Sequence, residues 1–181
     1  VASWFKIARR IRVPLGFAFA AFYLWLARPT IQSLLVGAAV AVPGLLIRAL
    51  ASGHVQKNEL LVTSGPYAYT RNPLYLGSLI LAVGFAIAAR NWWIAVVIVV
   101  MFFAIYLPVI RGEEAYLRER FPEFGDYCCQ VPRLFPRFTA FRQSDSEFSW
   151  ALYNKHREYN AWMGWAAVLL ALAAKLHWMS N

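Results

Sequence analysis

Apolar residues dominate five stretches of the chain, at about residues 13–27, 31–50, 74–89, 92–110 and 162–178. An α-helix needs roughly 20 mostly apolar residues to cross a hydrocarbon core, and the first and third stretches are the shortest. The pattern predicts five membrane-crossing helices. Pro43-Gly44 marks a kink in the second, and Pro108 stands near the end of the fourth. Only Arg28-Pro29-Thr30 separates spans one and two, and only Arg90-Asn91 separates three and four. Each pair therefore reads as a tight helical hairpin. Trp92, Trp93 and Trp178 fall where an interfacial aromatic belt belongs.

The polar positions collect in two stretches long enough to build a site, residues 51–73 and 111–160. In the second, residues 112–120 continue the helix of span four. Residues 131–136 are bounded by prolines and read as extended. Residues 144–159 read as a helix capped by Ser144 or Asp145. It carries Phe148, Trp150, Tyr153 and Tyr159 among polar residues, which suits a helix lying at the membrane interface. The fold class is thus an all-α integral membrane protein of about five transmembrane helices, with a cytoplasmic cap after span four.

Composition agrees. Hydrophobic residues make up 60% of the chain and charged residues 15%, which excludes an ordinary soluble domain and a disordered one. The net charge of +9 raises the question of nucleic acid, and position answers it. With alternating spans, fifteen of the 18 Lys and Arg fall on the side of the N-terminus, and only Arg28, Arg90 and Lys175 on the other. That asymmetry puts the N-terminus in the cytoplasm and leaves no basic stripe for nucleic acid. Lys6, Arg9, Arg10 and Arg12 before an apolar run imitate a secretion signal. The run closes on Trp25-Leu26-Ala27-Arg28-Pro29 without a small-residue cleavage site, so it reads as a retained span, in a bacterial inner membrane. Cys128 and Cys129 are adjacent and form no disulfide framework; His54, His156 and His177 are scattered, so no metal site is expected.

Three clusters could carry chemistry. The first is residues 61–75, with a Gly65-Pro66 turn and Asn72-Pro73 opening span three. A helix start offers unpaired N–H groups to an anion, or is simply capped between tyrosine anchors. The second is Arg111-Gly112-Glu113-Glu114, which the hairpin returns to the start of span three, beside Arg71, Asn72 and Tyr75. The two carboxylates stand about 100° apart on a helix, so at most one need face a site. The third, residues 121–136, reads alone as a packed cap.

In this order the clusters resemble the isoprenylcysteine carboxyl methyltransferases and their relatives, the phospholipid methyltransferases. The family's pattern appears as Leu61-Val62-Thr63 with Gly65 and Tyr67, then Arg71-Asn72-Pro73-Leu74-Tyr75, Glu113-Glu114, Phe121 with Phe124 and Tyr127, and Val131-Pro132-Arg133. Asn72 stands where the family has His, Pro122 follows Phe121 where it has Gly, and Phe124 takes the first of two Tyr positions. Val109 stands where the carboxyl methyltransferases have a substrate-bound Arg.

The resemblance implies an S-adenosylmethionine-dependent methyltransferase whose cap binds the cofactor, with a lipid or lipidated acceptor drawn from the bilayer. It divides one domain into an N-terminal hairpin (1–51), a catalytic core (52–136) and an interfacial helix with a last span (137–181). Lys57, Glu59, Leu60, Leu61, Val62, Tyr67, Arg71, Asn72, Pro73, Leu74, Tyr75 and Glu113 would hold the cofactor. Glu113 would pair with its ammonium, Arg71 or N–H groups near Asn72 with its carboxylate, and Tyr67 or Tyr75 would face the sulfonium. A carboxylate acceptor needs no base, and Arg111 would orient it. An amine acceptor must first lose a proton, to Glu114 or Tyr127. Both stay open, as does a nicotinamide-dependent reductase of similar core.

Overall fold

The computed structural model describes residues 2–55, 60–141 and 147–180, which form seven helices and no strand. They are α1 (Ala2–Leu26), α2 (Ile31–His54), α3 (Pro73–Ala89), α4 (Trp92–Arg120), α5 (Phe124–Gln130), α6 (Trp150–Lys155) and α7 (Tyr159–Ser180). By length and composition α2, α4 and α7 are apolar enough to cross a membrane, while Pro14–Leu26 of α1 and all of α3 are apolar but shorter. The predicted kink at Pro43 does not end α2, which runs through it unbroken. Nor is α4 regular throughout: Phe102–Tyr106 form a π turn between its two α-helical parts. The predicted helix over 144–159 is shorter. It starts at Trp150, where the Ser149 hydroxyl accepts from the Leu152 N–H at 3.3 Å, and Ser144 and Asp145 lie outside the described residues.

Helix ends in lipid must satisfy their backbone groups internally. At the hairpin end several polar side chains do this. Thr30 and Ser33 form a reciprocal capping box at the start of α2 (3.2 and 2.9 Å), and Ser33 Oγ also donates to Ala88 C=O of α3 at 3.1 Å. Asn91 caps α4 by accepting from Trp93 N–H at 3.0 Å and donates to Leu26 C=O of α1 at 3.1 Å. Arg90, at φ 51°, takes the left-handed turn between α3 and α4. Lys175 Nζ reaches from α7 to the Leu24 and Trp25 carbonyls at 2.6 and 2.9 Å, so the last helix closes the end of the first.

Between the two ends, α2 and α3 lie antiparallel with their backbones in contact. Gly37 faces Gly84 and Gly44 faces Gly77. A Cβ on Gly84 would sit 2.6 Å from the Gly37 carbonyl oxygen, and one on Gly44 2.6 Å from that of Gly77. Small residues at this seam let two helices approach without a side chain between them. Three apolar clusters complete the packing. Tyr23, Ala27, Ala88, Ala89, Ile94 and Leu172 join four helices at the hairpin end. Ile105 and Val109 of α4 pack with Tyr75, Met101 and Tyr106 at mid-length. Phe124, Tyr127 and Val131 form a cap at the far end with Leu61, Leu117 and Phe141.

Gly84→Val is expected to force α2 from α3 and lower stability by about 1–3 kcal/mol. Gly164→Ala in α7, where an added Cβ meets nothing within 4 Å, should leave it unchanged or slightly raised. Thermal unfolding of both variants in detergent checks this.

Candidate active site

The end of α4 and the start of α3 meet because the Arg90-Asn91 turn folds one back along the other. Adjacent glutamates then diverge. The Glu113 carboxylate accepts from Tyr75 Oη at 3.1 Å on the open side of the helix pair. Glu114 points the other way and is buried, with a relative exposure of 8%. Its Oε1 accepts from Asn72 Nδ2 at 3.1 Å, and its Oε2 from Arg133 Nε at 2.9 Å and Nη2 at 2.8 Å. The Arg71 guanidinium stands 3.6 Å from the same carboxylate. One carboxylate thus joins α3, α4 and the cap.

The cap is held down by backbone as well. Arg71 N–H donates to Pro132 C=O, Arg137 N–H to Tyr69 C=O and Phe141 N–H to Ala68 C=O, each at 3.0 Å. Thr70 Oγ1 donates to Leu134 C=O at 2.9 Å. Tyr127 is buried, and its hydroxyl donates to Tyr67 C=O at 2.6 Å. The segment from Ser64 to Asn72 is therefore clamped to the cap. Burial pushes the phenol of Tyr67 up from its ordinary value, and the nearby Tyr127, Glu113, Glu158 and Tyr75 push it further. Burial also raises that of Tyr127, against the lowering pull of Arg71.

This geometry brings Tyr67, Tyr75 and Glu113 together and assigns other partners to several expected site residues. Asn72 donates both Nδ2 hydrogens within the protein, to Glu114 and to Arg133 C=O at 2.9 Å, and so acts as a strut. Arg71 turns to Glu114 and the Cys128 sulfur, away from an incoming carboxylate. The helix start offers fewer N–H groups than its sequence promised. Pro73 has none, and Tyr75 and Leu76 both donate to Asn72 C=O (3.1 and 3.0 Å), leaving Leu74 N–H. Arg111 is exposed and stands about 200° around α4 from Glu113, too far to orient a group beside it. Glu114 and Tyr127 are not presented as bases, being locked by their hydrogen bonds. Leu60 is exposed, Leu61 packs into the cap and Val62 is half-buried beside it, while Lys57 and Glu59 lie outside the described residues.

Sequence reasoning missed Arg133, which was seen as part of a motif without a partner. It also missed Arg48 and Glu158, which pair at 2.6 Å next to Leu74. A cation inside an apolar helix was the available signal for Arg48.

Comparison with known proteins gives a consistent assignment. The family described as phospholipid methyltransferase matches residues 12–123, which span α1 to α4. The cobalt-zinc-cadmium resistance protein CzcN of Cupriavidus metallidurans is 36% identical over 120 residues, 66% of this chain and 53% of that protein. The nickel-cobalt-cadmium resistance protein NccN of Alcaligenes xylosoxydans xylosoxydans is 34% identical over 123 residues, 67% of this chain and 57% of that protein. The chain spans about half the length of these curated relatives. No solved structure matches it.

Removing Glu114 should leave Arg71 and Asn72 buried without their partner. Glu114→Ala is expected to lower stability by about 3–5 kcal/mol, Arg133→Ala by about 1 kcal/mol because its side chain is 41% exposed, and Glu113→Ala by less than about 0.5 kcal/mol. Denaturant unfolding distinguishes the three. The raised tyrosines add a pH dependence. Their folded-state contribution is complete below the ordinary tyrosine pKa of about 10 and declines as pH rises beyond it, because only the unfolded chain ionises freely there. Tyr127→Phe should flatten that alkaline decline, read as unfolding free energy at rising pH.

Proposed function

The chain belongs to the phospholipid methyltransferase family, and from that premise we propose that it is an integral membrane methyltransferase using S-adenosylmethionine on a lipid or lipidated acceptor at the membrane interface. The observation that carries the reading is the contact of Glu113 with Tyr75, 3.1 Å, on the open side of a rigidly clamped helix pair. It joins two pieces of the sequence pattern, 38 residues apart, into one polar site at the end of the helix pair.

The methyl donor supplies, when bound, an activated sulfonium methyl, so the protein's task is positioning for in-line transfer. Glu113 fits the donor's ammonium, and Tyr75 holds that carboxylate in one orientation. The Leu74 N–H is the open hydrogen-bond donor at the start of α3, suited to a carboxylate. The half-buried Tyr67 offers an electron-rich ring near Glu113, where a cation would be held. Leu60 and Val62 offer apolar surface, and Lys57 and Glu59 would close the same side. With Glu114 and Tyr127 locked, the reading favours an acceptor that needs no base, a carboxylate rather than a protonated amine.

In the bilayer the proposal keeps five spans, with α1 and α3 as the short ones, the N-terminus and cap in the cytoplasm, and a bacterial inner membrane as host. The antiparallel α2–α3 seam and the one-sided distribution of Lys and Arg support it. The core and its flanking hairpin and last span are read as one working unit. Metal tolerance, carried by the names of the relatives, would follow in this reading from a methylated membrane component.

Calorimetry with S-adenosylmethionine tests the site. The wild-type chain should bind it, and Glu113→Ala and Tyr75→Ala should weaken binding about tenfold or more, as loss of a charge-assisted bond implies. Unchanged affinity in both variants would remove the basis for the assignment. Incubation with methyl-labelled donor and total membrane lipid should label a lipid fraction.

A further inference from the structure

Arg48 is out of keeping with its helix. It stands six residues, about 9 Å, inside the end of α2 among Leu45, Leu46, Ile47, Ala49 and Leu50. A cation at such depth is expensive, and where it occurs it marks a working site. Its stem lies against Gly77, where a Cβ would be 2.6 Å from Arg48 Cγ. Its Nη1 donates to Ser78 Oγ and, at 3.4 Å, to Leu74 C=O, the residue beside Tyr75. The guanidinium is therefore fixed along the first turns of α3, at the edge of the Tyr67–Tyr75–Glu113 site.

Its anionic partner comes from elsewhere. Glu158 lies in the turn between α6 and α7, next to Arg157 at φ 53°, a left-handed conformation that a non-glycine residue rarely adopts. Glu158 also lies within electrostatic range of Tyr67. The exposures are unequal: 23% of the Arg48 side chain is accessible and 9% of the Glu158 side chain. The pair is thus more open on the arginine side than on the carboxylate side. Meanwhile α7 is the least buried of the three long apolar helices, and Lys175 ties its other end to α1. Apolar packing through Leu172 and the Lys175 bonds hold one end of it, while at the other the segment before it is tied to α2 by Glu158 and by His156 Nδ1 donating to the Ser52 carbonyl at 3.1 Å.

We propose that Arg48 is the anion-binding half of the acceptor subsite, and that Glu158 occupies it internally until an amphiphile bearing a carboxylate or phosphate displaces it and frees the start of α7. The word acceptor rests on the methyltransferase reading; the anion subsite does not. No covalent step is involved. One carboxylate exchanges for another anion on the same guanidinium, and the latch and the binding site are one pair of residues.

The test uses the full chain in a neutral maltoside detergent, titrated with dodecanoate, dodecyl phosphate and inorganic phosphate and followed by thermophoresis. Both amphiphiles should bind saturably to the wild type, with inorganic phosphate at least about tenfold weaker. Arg48→Gln should weaken amphiphile binding about tenfold or more, and Arg48→Lys less, because the charge remains. Glu158→Gln should tighten it several-fold, since the internal competitor is neutralised. That opposite sign separates a ligand subsite from a merely structural ion pair, whose two variants would act alike. Thermal unfolding establishes that each variant is folded. No binding by the wild type, equal binding of inorganic phosphate, or unchanged or weakened binding in a folded Glu158→Gln overturns the proposal. A chain that binds dodecanoate without S-adenosylmethionine would sink the methyltransferase reading and leave this one standing.

Discussion

The buried Glu114 carboxylate is the constraint on which the site depends. A carboxylate at this depth is tolerable only with several donors, and here Asn72, Arg133 and the nearby Arg71 supply them from three separate parts of the chain. The arrangement sets the start of α3, the end of α4 and the cap in one geometry. The neighbouring Glu113 is then turned outward by the helix itself, 100° of rotation per residue being enough to separate a structural acid from one available to a ligand. Rigidity on one side of α4 is what makes a defined polar group on the other side possible.

The two ends of the molecule solve one problem by different means. At the hairpin end, orphaned helix carbonyls meet Asn91, Ser33 and Lys175, each from a different helix. At the cap end, the loop before α3 is tied to the segment after α5 through backbone hydrogen bonds, although neither forms a strand. Polar chemistry is confined to the ends, and the middle is left to a glycine seam and apolar side chains. Arg48 is an exception, its guanidinium bonded to Ser78, to the Leu74 carbonyl and to Glu158 inside the bundle.

Much of this was legible in the amino-acid pattern. The two-residue break at Arg90-Asn91 does return α4 beside α3, but the three-residue break at Arg28-Pro29-Thr30 does not pack α1 along α2: α1 lies against α4, and α2 against α3. Counting from the turn sets Tyr75 level with Tyr106, its ring neighbour, and leaves Glu113 about seven residues further along, so that contact depends on the reach of the two side chains. The partners of the polar side chains were less legible. Asn72 read as a ligand-binding amide because nothing local indicates that Arg133, 61 residues later, would bring it a carbonyl. Arg71 was illegible for the same reason: its partners Glu114 and Cys128 lie far from it in the sequence. The short helix at Trp150 was overextended because Ser144 and Asp145 look like caps in the sequence, whereas the Ser149 hydroxyl is the one that caps it. Family-level resemblance identified the clusters; the hydrogen bonds assigned their duties.

The wide turn at Phe102–Tyr106 has a consequence for anyone aligning this chain. In a regular helix Val109 would stand about 60° around from Ile94, yet both are buried, one in the hairpin-end cluster and one at mid-length. Five residues wound more loosely absorb that offset. A homologue one residue shorter in this stretch would therefore keep both inward faces by winding normally, and its numbering would slip against this chain midway along an otherwise gapless helix. A single-residue gap in that position is a change of winding, not a lost contact, and the acidic pair beyond it should be matched from the far end.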